Sequence, residues 1–294
     1  MQDYVHQTIG VLGGTSPVGR SVLRQLQTTD QNVVLFSRRT QRHQNGKVEW
    51  RQLHPIFNPN TFDHQPIAQW ICLAPIWVLS DYFSLLAAYG IQRIVVVSST
   101  SRFTKEDSDD LGEQEVAQRL VHGEQKLQQW ATETGVEWII LRPTLIYGLG
   151  ADKNISEIIR FVRSFGFFPL FGRGSGLRQP VHVDDVALAS LAALATPKLT
   201  NRAYNISGGE TLTYREMVSR VFGALNRRLL ILTVPLWTFE LALCLIRIIP
   251  RYRKWTSAMA KRMNRDMVFD DSDARRDFGF KPRPFLLSQN DLPH

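Results

Sequence analysis

Cysteine is nearly absent from this chain, which has only Cys72 and Cys244 among 294 residues. They stand far apart in apolar surroundings without metal-ligand spacing, which excludes a disulfide scaffold and a thiolate metal centre and fits two core residues of a reduced protein. Also missing is a basic segment followed by an apolar stretch at the start. MQDYVHQTIGVLGG passes from polar residues straight into a strand pattern, so the protein is expected in the cytoplasm. No apolar run of membrane-span length is free of interruption. The longest, Leu229 to Ile249, contains Pro235, Glu240 and Arg247, which make a spanning helix costly. Two expectations stay open for it: a helix lying on a membrane surface, whose basic sequel through Arg265 meets anionic lipid, or a buried helix followed by a solvated basic face. No nucleic-acid module is recognisable, so the net charge of +8 is expected to meet nucleotide phosphates or a lipid surface and not a nucleic acid.

What is present suits one enzyme-sized unit: with 44% hydrophobic and 21% charged residues the chain can bury a large core. Thr8 to Arg20, TIGVLGGTSPVGR, reads as an apolar strand, a glycine turn and a helix, the arrangement that holds a dinucleotide pyrophosphate at a helix N-terminus. Gly13 makes the turn, Gly14 lets the backbone approach a phosphate, and Gly19 lets the helix pack closely, with Thr15, Ser16, Pro17 and Val18 between them. Ser16 stands where a glycine is usual. A second strand, Asn32 to Phe36, ends in Ser37-Arg38-Arg39, where a dinucleotide fold reads the adenosine ribose. Arginine there accommodates the 2′-phosphate of NADP, whereas NAD is read by an acidic residue, so NADP is the preferred cofactor and NAD the alternative.

Further apolar strands, Trp70 to Pro75 and Arg93 to Ser99, alternate with helical patterns, which predicts a doubly wound α/β sheet of Rossmann type. Ligands in such sheets lie beyond the carboxyl ends of the strands, so Leu73, Ala74, Pro75, Ser98, Ser99, Thr100 and Pro143 are expected to line one crevice with the glycine turn. A helix is predicted from Glu113 to Thr134, closed by Gly135, before a strand at Trp138 to Leu141.

The glycine turn, the VVVSST strand end, the RPTLIYG segment at 142–148 and GSGLRQPVHVDDVA at 174–187 follow one another over nearly the whole length. In that order they resemble an extended short-chain dehydrogenase/reductase of the NAD-dependent epimerase/dehydratase family. The resemblance implies a cofactor domain of about residues 1–150 and 180–208, and a smaller C-terminal α/β substrate domain of 151–179 and 209–294. It implies Thr100 at the active-site hydroxyl position, Tyr147 as a further candidate acid, and Asn154 and Arg178 on a sugar nucleotide, Arg178 gripping its diphosphate. It also implies a Tyr-x-x-x-Lys pair on the long helix, and here the corresponding positions, aligned on Glu124, are Val116 and Leu120. The apolar face they share is expected toward the nicotinamide. Three expectations follow: an NAD(P)-dependent epimerase, dehydratase or reductase of a nucleotide- or lipid-linked sugar, a cofactor-binding subunit without turnover, or a redox-sensing regulator. A homodimer through the long helices is a further implication of the resemblance. The segment NISGGETLTYREMV is expected to return the chain to the small domain with Thr213 capping a helix, and residues 267–285 to close that domain, its helix ending at Gly279.

Overall fold

The computed structural model describes residues 8–38, 47–53, 65–152, 154–235 and 257–293, the side chains of 257–259 excepted. Its centre is a seven-stranded parallel sheet in the order β11-β6-β5-β4-β1-β2-β3. These strands are Ile9–Leu12 (β1), Val33–Ser37 (β2), Val48–Gln52 (β3), Gln69–Cys72 (β4), Arg93–Val97 (β5), Glu137–Pro143 (β6) and Arg202–Ile206 (β11). β1, β2 and β5 are almost wholly buried and rich in Val, Ile and Leu, and β4 buries Trp70, Ile71 and Cys72, the pattern of strands covered on both faces. One face packs Val22, Leu26, Val186 and Ala193 from helices Pro17–Leu26 (α1) and Val183–Ala195 (α6). The other packs Leu86 of Phe83–Ala88 (α2) and Leu120 and Leu127 of Leu111–Thr134 (α4).

Caps set the helix limits. α4 starts at Asp110, whose carboxylate accepts from the Gly112 and Glu113 N–H groups, and ends at Gly135 in the left-handed conformation, φ +73°. Between them Leu120, Gly123, Glu124, Leu127 and Ala131 recur at helical spacing on the buried face.

A separate core lies below the sheet's carboxyl edge. Helices Ile155–Phe165 (α5) and Tyr214–Ala224 (α7) bury Ile159, Val162, Met217 and Phe222 against Phe168, Phe171, Phe285 and Leu292. Thr213 opens α7 with a reciprocal capping box to Glu216. The short strands of this part are Ile146–Tyr147 (β7) with Val181–His182 (β10), Leu177–Arg178 (β9) with Leu212–Thr213 (β12), and Phe168–Phe171 (β8) with Ile231–Val234 (β13).

Two expectations are corrected here. The apolar run that begins at Leu229 does not open as a helix, because Ile231–Val234 is a strand paired in parallel with β8, and residues 236–256 lie outside the described set. A short apolar run has no period long enough to separate strand from helix. The C-terminal helix Ser272–Phe278 does end at a left-handed Gly279, but the segment divides: Ala274 and Phe280 join the sheet's core beside α6 and β11, and Phe285 joins the second core.

Candidate active site

The parallel sheet brings the ends of β1, β2, β4, β5 and β6 to one edge, where the candidate site forms. Gly13 leaves β1 with φ +83°, and a Cβ there would stand 2.6 Å from the Ala74 backbone nitrogen. At Gly19 a Cβ would fall 2.6 Å from the Gly13 carbonyl oxygen. These two positions press β1, the β4 end and α1 into one surface that any side chain would break. Gly14 is constrained differently from the sequence expectation: its Cβ would meet Leu35 Cδ2 at 2.5 Å, so the turn lies against β2.

Ser16 caps α1, its hydroxyl accepting from the Gly19 N–H at 3.0 Å, and Pro17 takes the first helical position. The Ser16 N–H is held by the Gly13 carbonyl and Pro17 has none, which leaves the Gly14, Thr15 and Val18 N–H groups of the turn available to an anion. Ser37 is buried at the end of β2, and Arg38 beside it is exposed. Arg39 lies outside the described residues. Leu73 continues the ladder by donating its N–H to Leu12 O at 2.8 Å, and Ala74 and Pro75 form a partly exposed rim. Burial pushes the neighbouring Cys72 thiol up to about 12, an inert core residue.

At the end of β5, Thr100 is buried and binds the Pro143 carbonyl with both its N–H, at 3.1 Å, and its hydroxyl, at 3.2 Å. Ser99 accepts from the Ser101 N–H at 3.0 Å, opening the short helix Ser101–Thr104 (α3). The Ser98 hydroxyl donates to Glu124 Oε1 at 2.6 Å. That carboxylate, 1% exposed, also receives Arg142, Nε at 3.1 Å and Nη2 at 2.6 Å, and Arg102. The ring of Phe103 lies 5.0 Å from the Arg102 guanidinium carbon and 5.4 Å from that of Arg142. Burial lowers the pKa of both arginines, and for Arg102 the neighbouring Arg142 adds to the effect. Two guanidiniums on one carboxylate leave the strand ends net positive.

Sequence reading used Glu124 only to set an alignment and missed this cluster. The signal was a glutamate flanked by Leu120 and Leu127 on the buried face of α4, which demands a cationic partner.

Leu120 does not face an open crevice. It is 4% exposed in a core shared with Ile76 and Leu79, and at Gly123 a Cβ would stand 3.0 Å from Ile76 Cγ2, so the 3₁₀ segment Ile76–Tyr82 covers this face of α4. Tyr147 is also corrected. It is fully buried, edge-on to His182 and Phe285, and its hydroxyl bonds the Leu286 backbone, donating to the carbonyl at 3.3 Å. Burial pushes its pKa up to about 12, and its hydroxyl proton is committed to the Leu286 carbonyl. His182 is a structural link: its Nδ1 accepts from the Asp184 N–H at 3.1 Å, and its Nε2 then donates to Asp291 at 3.0 Å.

Arg178 is 4% exposed, and its guanidinium donates to the carbonyls of Leu177 at 2.7 Å, Arg265 at 2.8 Å and Arg262, with Tyr214 against its face. Among the described residues no carboxylate pairs with it, and burial lowers its pKa to about 10. Asn154 is exposed at the start of α5, in a turn organised by Asp152, which accepts from the Asn154 N–H at 2.9 Å and the Ser156 hydroxyl at 2.6 Å.

Residues 81–207, from the end of the 3₁₀ segment through β11, match the model of the NAD dependent epimerase/dehydratase family. Over that segment the chain is similar to the family. A UDP-glucose 4-epimerase of Vibrio cholerae is 25% identical over 54% of this chain and 46% of its own length. An Arabidopsis thaliana mitochondrial protein, NADH dehydrogenase [ubiquinone] 1 alpha subcomplex subunit 9, is 30% identical over 51% of this chain and 30% of its own. The chain thus spans less than half the length of these two curated relatives. The solved structure of MoeE5 in complex with UDP-glucose and NAD superposes over 95% of this chain and 94% of its own with a TM-score of 0.66, at 20% identity. That likeness shows the fold, a Rossmann-type parallel sheet.

Proposed function

We propose that this protein is an NADP-preferring oxidoreductase of the epimerase/dehydratase type, acting on a nucleotide-linked sugar. The observation that carries the reading is the convergence at one sheet edge of the Gly13–Gly19 cradle, the Ala74–Pro75 rim and the Thr100–Pro143 pair. A cradle that Cβ atoms at 13 and 19 would fill fits a dinucleotide backbone, with Gly14, Thr15 and Val18 donating to its phosphates and Arg38 beside its ribose. When bound, the nicotinamide supplies hydride transfer. Thr100 supplies the hydroxyl that orients the substrate hydroxyl whose carbon is oxidised or reduced, and its own bond to Pro143 O fixes its rotamer. Arg178, a buried cation whose hydrogen bonds among the described residues go to carbonyls and which lies beside Arg262 and Asp266, is assigned to the diphosphate, whose charge would offset the two guanidiniums. Asn154 at the start of α5 is assigned to the sugar end.

The second reading is a cofactor-binding subunit without turnover. It is favoured by one observation: the positions of the family's acid pair are Val116 and buried Leu120, and the only tyrosine of the RPTLIYG segment is sealed in the core.

Calorimetric titration with NADPH and NADH, repeated on Arg38→Ala, tests the cofactor assignment. NADPH affinity is expected to fall roughly ten-fold in the variant with NADH unchanged, the loss of one phosphate-binding guanidinium. Binding of neither nucleotide overturns both readings. Nicotinamide absorbance with UDP-sugars then separates them: turnover supports the enzyme, and its absence with intact binding supports the subunit.

A further inference from the structure

Residues 260–269 bracket β9 and are fastened on two sides. Toward the second core, Ala260 and Met263 are buried, Asn264 donates to the Phe171 carbonyl at 2.7 Å and accepts from the Gly174 N–H at 2.9 Å, and Asp266 accepts from the Leu177 N–H at 2.8 Å. Toward the sheet layer, Arg262 pairs with Glu113 and Lys261 with Asp109, both acids lying at the start of α4, and the ring of Phe269 stands 6.0 Å from that of Phe103 on α3. The two ion pairs differ in weight. Lys261 and Asp109 are each 66% exposed, where water screens the attraction, whereas the side chains of Arg262 and Glu113 keep only 22% and 12%. Glu113 is also fixed from its own side, since the Ser108 hydroxyl donates to its Oε2 at 2.8 Å and Lys105 lies 3.9 Å from its Oε1.

Arg262 acts with its backbone as well. Its carbonyl accepts from Arg178 Nη2, and the Arg265 carbonyl accepts from Nη1 at 2.8 Å. The guanidinium of Arg178 is therefore aimed by the end of the short helix Ser257–Arg262, and Glu113 is the group on α4 that holds that end. The same α4 carries Glu124, which takes the Ser98 hydroxyl beside the Thr100 turn. Glu113 and Glu124 stand about 16 Å apart along one helix at 1.5 Å per residue, so a single rod reaches both the β5 end and the seat of Arg178.

We propose that Glu113 is a positioning residue for diphosphate binding: through its ion pair with Arg262 it sets where the Arg178 guanidinium stands relative to Thr100. This rests on the assignment of Arg178 to a nucleotide diphosphate. Charge and position make opposite predictions here. A carboxylate near a phosphate site repels the ligand, so neutralising Glu113 tightens binding if it acts only by its field. Binding weakens instead if Glu113 acts by holding the seat of Arg178.

The test is calorimetric titration of UDP into the full chain and its variants. Glu113→Gln is expected to weaken UDP binding roughly five-fold, and Arg262→Gln roughly ten-fold because field and position then act together. Arg262→Lys keeps the ion pair and is expected to stay within about two-fold of the parent. Arg262→Gln leaves the cap of α4 untouched, so the comparison with Arg262→Lys decides the matter even where Glu113→Gln fails to fold. Glu113→Gln that binds UDP as tightly as the parent or tighter overturns the proposal and leaves the assignment of Arg178 standing, as do equal affinities of Arg262→Lys and Arg262→Gln. A parent that binds no UDP overturns the assignment of Arg178 and the proposal with it.

Discussion

Glu124→Gln is the substitution that tests the interior of the site most directly. The carboxylate is 1% exposed and takes donors from Ser98, Arg142 and Arg102. An amide keeps the volume but exchanges one acceptor oxygen for a donor, so an N–H group faces a guanidinium N–H and two buried cations lose their counter-charge. Removing one partner of a buried ion pair costs about 3–5 kcal/mol. A figure near 3 kcal/mol is expected here, because the arginine side chains keep 21% and 17% exposure and recover some hydration. Urea unfolding followed by circular dichroism reads it. The companion variant Arg102→Met removes one cation, and in the double variant one guanidinium instead of two confronts the amide. The two costs should therefore fail to add by at least about 1 kcal/mol. Should Glu124→Gln stay within about 1 kcal/mol of the parent, or the two costs add, the cluster does not hold the β5 and β6 ends together as argued.

Thr100→Val should lower turnover of a UDP-sugar by roughly a hundred-fold while leaving NADPH affinity in place, and an equal loss of both would show a packing role only. Ser16→Ala removes the cap of α1 and is expected to cost about 1 kcal/mol in thermal unfolding, while an unshifted Tm would contradict the cap. Asp291 has a pH signature. Burial alone would raise its pKa, but donors from His182 and Ser288 outweigh it and hold the carboxyl well below the usual range. A folded-state value below the unfolded one adds stability above about pH 4 that is lost as pH falls further. Asp291→Asn should therefore cost about 1–3 kcal/mol at neutral pH and flatten the acid limb of the stability curve, and parallel curves for parent and variant would refute the linkage.

The strands of the sheet were legible because burial on both faces writes a continuous apolar run, and the helix ends because Gly135, Gly279 and Thr213 each perform a local task that the backbone demands. Of the glycine turn only the contact of Gly19 with Gly13 is local, whereas Gly13 is held by Ala74 and Gly14 by Leu35, neighbours that the turn's own sequence does not name. What sequence did not disclose was long-range. Ser98, Arg102, Glu124 and Arg142 meet only because β5, α3, α4 and β6 are stacked in space, and no spacing rule connects them. Tyr147 carries the right chemistry at a position the resemblance singles out, yet its hydroxyl is spent on Leu286. Residue type alone does not say which groups have already found partners. The strand at Ile231–Val234 was hidden in an apolar run that suits strand and helix equally.

The parallel pairing of β8 with β13 joins segments about sixty residues apart, and Phe285 and Leu292 complete the same core. During synthesis, α5 and β8 leave the ribosome long before the residues that bury them. Phe161, Phe168 and Phe171 must then wait exposed, so the second core is the slow and aggregation-prone stage of folding, whereas β1, β2 and β4 can pair as soon as they emerge.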